Sequence, residues 1–360
     1  MPDRRNFLRA TAVAGGSVAA GIAAGAATAP AARAAGDPAA DRLALLSWHA
    51  ALANRRYQPA VVAVIGSSST EGVGSVYGRG FVSMLAENLR SAYPVAGAPG
   101  GANFVAAWGR PPRWPVHATG GRPAPPEDGW ALKGYDLDGG TLTYAFTGTS
   151  VRVWHAPGAT LTVTIDGRPM PAAGSGQLDA GNHTVTVSGR GRVTGFVTFD
   201  GDESRGIQVW NGGHGGRTTG SFASRIDAWA PSLATIRPHL VILQLGVNDW
   251  RTRVPAATVK RNLKMIVEAA RAHAGTDPSF VIYGSPRVGP ARDRGFSRVA
   301  QAWAEVAAED SAVSYFDLSA RQPAPAADNR LGLYCDDLIH MTDKGAAHTA
   351  DALTGFLSPG

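Results

Sequence analysis

The sequence predicts an α/β domain built on a doubly wound parallel sheet, with an antiparallel β module set into its first half. Three observations predict this. Short continuous apolar runs rich in β-branched residues, at Pro59–Ile65, His239–Leu245, Ser279–Gly284 and Ala312–Asp317, read as buried parallel strands. Segments with apolar residues at helical spacing alternate with them, at Phe81–Tyr93, Phe222–Leu233, Thr258–Ala274, Phe296–Glu309 and Thr342–Phe356. Between residues 106 and 205 helical periodicity disappears, and short Val/Thr/aromatic-rich segments alternate instead.

From the N-terminus, residues 3–9 carry three arginines, and an uncharged Ala/Gly/Val stretch runs from Ala10 to Ala32. Ala32-Arg33-Ala34 then places small residues where a signal peptidase reads them. Arg4 and Arg5 ahead of Phe7-Leu8 resemble a twin-arginine export signal. The expectation is a secreted protein with residues 1–34 removed and no membrane span left. A retained anchor is the alternative, disfavoured because Ala and Gly gain little from lipid.

Leu43–Arg56 has the pattern of a short amphipathic helix, and the strand Pro59–Ile65 and helix Phe81–Tyr93 follow. Six prolines between Pro111 and Pro126 open the β module. Its strands are expected at Thr141–Thr147, Ser150–His155, Thr160–Asp166, His183–Ser188 and Arg192–Asp200, separated by turns such as Asp166-Gly167. A small sandwich is the expected form. The α/β rhythm resumes after Gly212. The expected organisation is a signal at 1–34, an α/β domain at 35–105 and 206–360, and a β-rich insertion at 106–205.

Composition narrows the functional classes. Of 360 residues, 44% are hydrophobic and 17% charged, which excludes a disordered chain. A single cysteine, Cys335, excludes an intramolecular disulfide framework and a Cys-cluster metal site. The formal charge of +6 falls to +3 without residues 1–34, which carry four arginines and one aspartate. The β module carries nine basic against nine acidic residues. No basic run remains, so a nucleic-acid partner is not expected.

Ligands in open α/β sheets bind beyond the carboxyl ends of the strands, and four segments there carry reactive or donor-rich residues. Gly66-Ser-Ser-Ser-Thr-Glu-Gly72 places serine hydroxyls at a helix entrance, beside free backbone N–H groups. Asn211-Gly-Gly-His-Gly-Gly-Arg-Thr218 has glycines that let backbone N–H groups approach a ligand. Gln244-Leu-Gly-Val-Asn-Asp-Trp250 ends a strand with side-chain amides. Asp336-Asp-Leu-Ile-His340 spaces Asp337 and His340 three apart, so one turn brings carboxylate and imidazole together. Each segment alone has a plain structural alternative: a Ser-rich cap, a flexible turn, an Asx-turn and a surface ion pair.

Together and in this order, the four segments resemble the blocks of the SGNH hydrolase (GDSL-type lipase/esterase) family: Gly-Asp-Ser-x-Thr, a Gly-bearing loop, Gly-x-Asn-Asp and Asp-x-x-His. The resemblance spans roughly residues 58–105 and 206–357 and implies a flavodoxin-like doubly wound sheet. It implies Ser68 as nucleophile, His340 as general base and acid, and Asp337 as the group that orients it. It implies an oxyanion hole from the Ser68 and Gly216 N–H groups and the Asn248 side chain, with no metal and no cofactor. One departure stands out: the family aspartate before the nucleophile is Ser67 here, and among the three successive serines the frame set by Gly66, Thr70 and Gly72 favours Ser68.

The chemistry implied is hydrolysis of carboxylic esters through an acyl-enzyme. An O-acyl group on a polysaccharide is the expected substrate, with a small-molecule or short-chain lipid ester as the alternative. His214, Trp108 and Trp250 are the candidate substrate contacts. The β module either binds glycan or walls the cleft. A non-catalytic glycan-binding protein on a degenerate hydrolase scaffold is the reading from another class.

Overall fold

The computed structural model describes residues 38–97, 100–124, 128–286, 293–325 and 329–359. These residues belong to one compact unit, Arg33–Gly360. The expected export signal lies outside the described residues. No described helix is long and apolar enough to cross a membrane.

Thirteen strands share one hydrogen-bonded sheet. In chain order they are β1 (Pro59–Gly66), β2 (Gly100–Ala106), β3 (Val116–Thr119), β4 (Arg122–Pro123) and β5 (Tyr135–Gly148). Then come β6 (Ser150–His155), β7 (Thr160–Ile165), β8 (Arg168–Met170) and β9 (Gly181–Asp200). The last four are β10 (Gly206–Gly213), β11 (Leu240–Gln244), β12 (Ser279–Gly284) and β13 (Val313–Asp317). The main path runs β13-β12-β11-β1-β10-β2-β9-β5-β3. It is parallel from β13 to β2 and antiparallel beyond. This is a doubly wound α/β sheet extended by antiparallel strands.

Helices cover both faces of the parallel part, because its strands are buried on both sides. One face packs against the helices Ala256–His273 and Phe296–Glu309, with Phe222 and Trp229 in the same cluster. The other packs against Leu46–Asn54, Phe81–Ala92 and Asp343–Leu357. Trp48, Trp229 and Trp303 are fully buried, anchoring helices to the sheet.

The antiparallel strands have their own apolar core, including Tyr144, Val151, Val187 and Phe196. They do not form a separate sheet. The N-terminal half of β9 pairs with β5 and β7, and its C-terminal half pairs with β2 and β6. The two segments expected at His183–Ser188 and Arg192–Asp200 are thus one strand of twenty residues.

Two elements escape the sequence pattern. β2 and β10 are rich in Gly, Asn and Gln, which hides their strand character, yet β10 lies beside β1 along its whole length. The continuous helix expected at Phe222–Leu233 is instead short turns at Thr219–Ala223, Ile226–Trp229, Ala230–Ser232 and Leu233–Ile236. Pro231 follows a turn end and prevents one continuous hydrogen-bond ladder.

β10 ends where space is tight. A Cβ on Gly213 would lie 2.2 Å from the Glu71 backbone nitrogen and 2.5 Å from the Thr70 carbonyl carbon. Gly213→Ala is therefore expected to cost about 1–3 kcal/mol by overpacking. A thermal melt checks it, and an unchanged Tm would mean that the helix Ser68–Glu71 yields freely.

Candidate active site

β1 is flanked in parallel by β10 and β11, with Gly66 opposite Gly213 on one side and Gln244 on the other. The loops after these strands leave the same edge of the sheet next to one another. They carry Ser68, Gly216 and Asn248.

Ser68 opens a four-residue helix, Ser68–Glu71, capped by Gly72 in the left-handed region (φ 97°). Its Oγ lies 2.8 Å from His340 Nε2. His340 Nδ1 lies 2.5 Å from Asp337 Oδ2. Asp337 Oδ1 accepts the backbone N–H groups of Ile339 and His340, each at 2.9 Å, and Leu338, which follows Asp337, takes φ 55°. The Asp-x-x-His segment is thus a tight turn rather than a helix, folded around its own carboxylate. Partial burial pushes the Asp337 carboxyl up, but the two backbone N–H bonds and the imidazole outweigh it, so the net shift is downward.

The three serines separate cleanly. Ser67 is buried, with its N–H 3.3 Å and its Oγ 3.5 Å from Gln244 Oε1. Thr70 Oγ1 donates to the same oxygen at 2.9 Å, and Gln244 Nε2 donates to Ser285 Oγ at 3.3 Å. Ser67 stands where the resembled Gly-Asp-Ser-x-Thr block has its aspartate, and the Gln244 amide ties the loop down. Only Ser68 meets the imidazole.

Among the described residues the backbone N–H groups of Ser68 and Gly216 donate to no protein group. Gly216 has φ 85°, and a Cβ there would meet nothing within 4 Å. Asn248 Nδ2 donates one hydrogen to the Arg217 carbonyl at 2.9 Å, leaving its second hydrogen available. Asp249 is fully buried and accepts the Thr219 N–H at 2.9 Å and the Thr219 hydroxyl at 2.6 Å, fastening the exit of the Gly loop. Burial raises its carboxyl, partly countered by these bonds.

The expected substrate contact at His214 is corrected by the structure. His214 is fully buried; Nδ1 lies 3.1 Å from the Ala131 carbonyl and Nε2 lies 3.3 Å from Arg217. Burial, then the neighbouring Lys133, lowers its pKa to about 4, so it is a neutral wall residue. Trp108 stands edge-on to His214 with centroids 5.2 Å apart, and its N–H donates to Gly134 O at 2.9 Å. Trp250 packs edge-on against Phe296 and donates to Asp293 O at 2.8 Å. Neither tryptophan lines the cavity that holds Ser68.

Residues the sequence reading passed over complete the surroundings. Glu71, one turn after Ser68, is buried and pairs with Lys133 of the β-rich segment at 2.8 Å, both side chains wholly inaccessible. The distance is that of a contact ion pair, while the angles are poor for a hydrogen bond. The ammonium also sits over the rings of Trp108 and Trp114, at 5.4 and 5.1 Å. Burial lowers the Lys133 pKa, with Glu71 opposing. No pattern in the sequence joins these two residues, 62 positions apart.

A cavity of about 30 Å³ opens at Ser68, lined among others by Val247, Phe296, Leu338, Ile339 and Met341. A larger one of about 490 Å³ lies between the helix Phe81–Ala92 and β2 and includes none of Ser68, Asp337 and His340. Of these two cavities, the smaller one reaches Ser68. Among the described residues no group of three or more His, Cys, Asp or Glu could hold a metal ion.

Residues 185–348 match the GDSL-like lipase/acylhydrolase family. A solved peptidoglycan O-acetylesterase superposes with a TM-score of 0.67 at 18% identity, over 88% of this chain and 95% of that one. A carbohydrate esterase of family 3 from Talaromyces cellulolyticus gives 0.42 at 15% identity, over 82% and 95%. A family two carbohydrate esterase from Clostridium thermocellum, in complex with cellohexaose, gives 0.33 at 15% identity, over 67% and 97%. No curated protein sequence matches the chain.

Because His214 is held neutral, its pH linkage has a defined sign. The unfolded ring binds a proton below about 6.5 and the folded one only near 4, so its contribution to stability is complete above 6.5 and is lost as pH falls through that window. The total loss is about 3 kcal/mol. Urea titrations of the wild type and His214→Asn between pH 7.5 and 4 (about the range set by that window) should show the wild-type curve falling and the variant curve flatter.

Proposed function

We propose that this chain is an exported serine esterase that removes small acyl groups, acetyl above all, from carbohydrate. The observation that carries the catalytic part is the unbroken relay from Asp337 through His340 to Ser68 Oγ. His340 Nε2 takes the Ser68 proton as Oγ attacks the ester carbonyl carbon, and the carbonyl oxygen becomes an oxyanion. The N–H groups of Ser68 and Gly216 and the free Asn248 Nδ2 hydrogen receive that charge. As the intermediate collapses, the alkoxy C–O bond breaks and His340 passes its proton to the leaving alcohol. Water then attacks the acyl-serine with His340 as base, releasing the carboxylic acid and restoring Ser68.

Acyl size is argued from the cavity at Ser68. That cavity is small, about 30 Å³, which favours a short acyl group over a long alkyl chain. The carbohydrate part rests on the neutral, aromatic-bearing β segment. The peptidoglycan O-acetylesterase of like fold acts on an ester of that kind. Export rests on Arg4, Arg5 and the Ala/Gly stretch that follows them.

Residues 35–360 are expected to hydrolyse p-nitrophenyl acetate faster than the butyrate and to leave the octanoate nearly untouched. Ser68→Ala should abolish all turnover. Equal rates on acetate and octanoate would overturn the acyl-size reading, and turnover surviving in Ser68→Ala would overturn the nucleophile. Asn248→Ala should lower kcat on the order of 10²–10³-fold, the usual loss for one oxyanion donor.

A further inference from the structure

Gly216 has nothing of its own to hold it in place. It is exposed, has left-handed φ and no side chain, and its N–H must still point where the oxyanion forms. The residues on either side of it are the ones that are anchored. On one side the Gly215 N–H donates to Glu71 Oε2 at 2.5 Å. On the other the Arg217 carbonyl accepts from Asn248 Nδ2 at 2.9 Å. Gly215 has to be glycine for this, since a Cβ there would come within 2.6 Å of Glu71 Oε2.

Glu71 gathers three separate segments on its two oxygens. Oε2 holds Gly215, while Oε1 accepts the Arg110 N–H at 2.7 Å and contacts Lys133 Nζ at 2.8 Å. Both oxygens act as acceptors, and the side chain is fully buried. A lone buried carboxylate would neutralise itself by taking up a proton. Lys133 supplies the compensating charge, and the faces of Trp108 and Trp114 accommodate the ammonium where no further hydrogen-bond acceptor is present.

We infer that Glu71 and Lys133 are positioning residues for the oxyanion hole, and that the β-rich segment completes the active centre by delivering Lys133 to Glu71. The inference rests on the esterase reading above and adds to it a dependence of the chemical step on residues that touch no substrate. Arg110, His214 and Arg217 are the other charged or titratable groups acting on this cluster. Arg110 and Arg217 carry positive charge and His214 is neutral, so Glu71 is the carboxylate on which their fields converge.

The test uses Glu71→Gln, Glu71→Asp and Lys133→Met in residues 35–360. Turnover of p-nitrophenyl acetate is normalised to folded protein, and amide hydrogen exchange is followed without substrate. Glu71→Gln turns one acceptor into a donor facing an N–H group, and kcat should fall roughly 100-fold with KM within about threefold, as for a displaced oxyanion donor. Exchange should accelerate in a peptide covering Gly212–Thr218 and stay unchanged in one covering β12. Lys133→Met should shift both readouts the same way. Glu71→Asp keeps the charge, and with it the fold, but cannot reach both Arg110 and Gly215; its kcat should drop at least about tenfold.

An unchanged kcat with unchanged loop exchange would overturn the inference. A rise in KM at constant kcat would also do so, because it would make Glu71 a substrate contact. Acceleration of exchange in β12 as well as the loop would reduce the pair to general stability and overturn it too. If the wild type turns over no ester, the esterase reading fails, while loop exchange in the same variants still decides whether Glu71 holds Gly215.

Discussion

Gly66 lies between Gly213 and Gln244 because β1 pairs in parallel with both β10 and β11. Parallel neighbours run in one direction, so the loops that follow them leave the sheet at one edge, about 5 Å apart per strand. This register brings together a serine, a glycine and an asparagine separated by up to 180 residues of sequence. A slip of one residue would turn each strand end to the opposite face. Burial of β1 and β11 on both faces and the close approach of Gly213 to the Glu71 backbone resist such a slip.

Around that register the chain distributes its buried polar groups so that each fastens one loop to another. Gln244 ties β11 to the serine turn through Ser67 and Thr70. Asp249 ties the Asn248 turn to Thr219 beyond the Gly loop. Glu71 ties the serine helix to Gly215, Arg110 and Lys133. Removing one partner from such a buried set costs more than the bond is worth, because the other group is left unsatisfied. The three ties therefore make the loops rigid relative to one another, the condition under which fixed N–H dipoles act on a developing charge.

The antiparallel strands serve the same end. β9 joins them to β2, so the segment is continuous with the sheet rather than appended to it. Its contribution at the centre is local: Lys133, with Gly134 O holding the Trp108 indole against His214. The apolar body of the segment lies elsewhere, around Tyr144, Val151 and Phe196.

Much of the fold was legible because its signals are local. β1, β11, β12 and β13 are continuous apolar runs, and the helices Phe81–Ala92 and Ala256–His273 show their periodicity directly. β2 and β10 were not legible, since Gly, Asn and Gln there answer to close packing and to neighbouring backbone rather than to a pattern. The frame of Gly66, Thr70 and Gly72 favours Ser68 among three serines, and three-dimensional placement turns Ser67 toward Gln244 and Ser68 toward His340.

By itself the sequence determined the class of fold, the four segments that meet at the strand ends and the pairing of Asp337 with His340. Each of these follows from residue type and short spacing. Tertiary structure alone decided that His214 is buried and neutral, that Gln244 gathers Ser67 and Thr70, and that Glu71 and Lys133 share a buried contact across 62 residues. The physical reason is that burial, and the charge balance burial demands, are properties of the packed neighbourhood. No short window of sequence contains that neighbourhood.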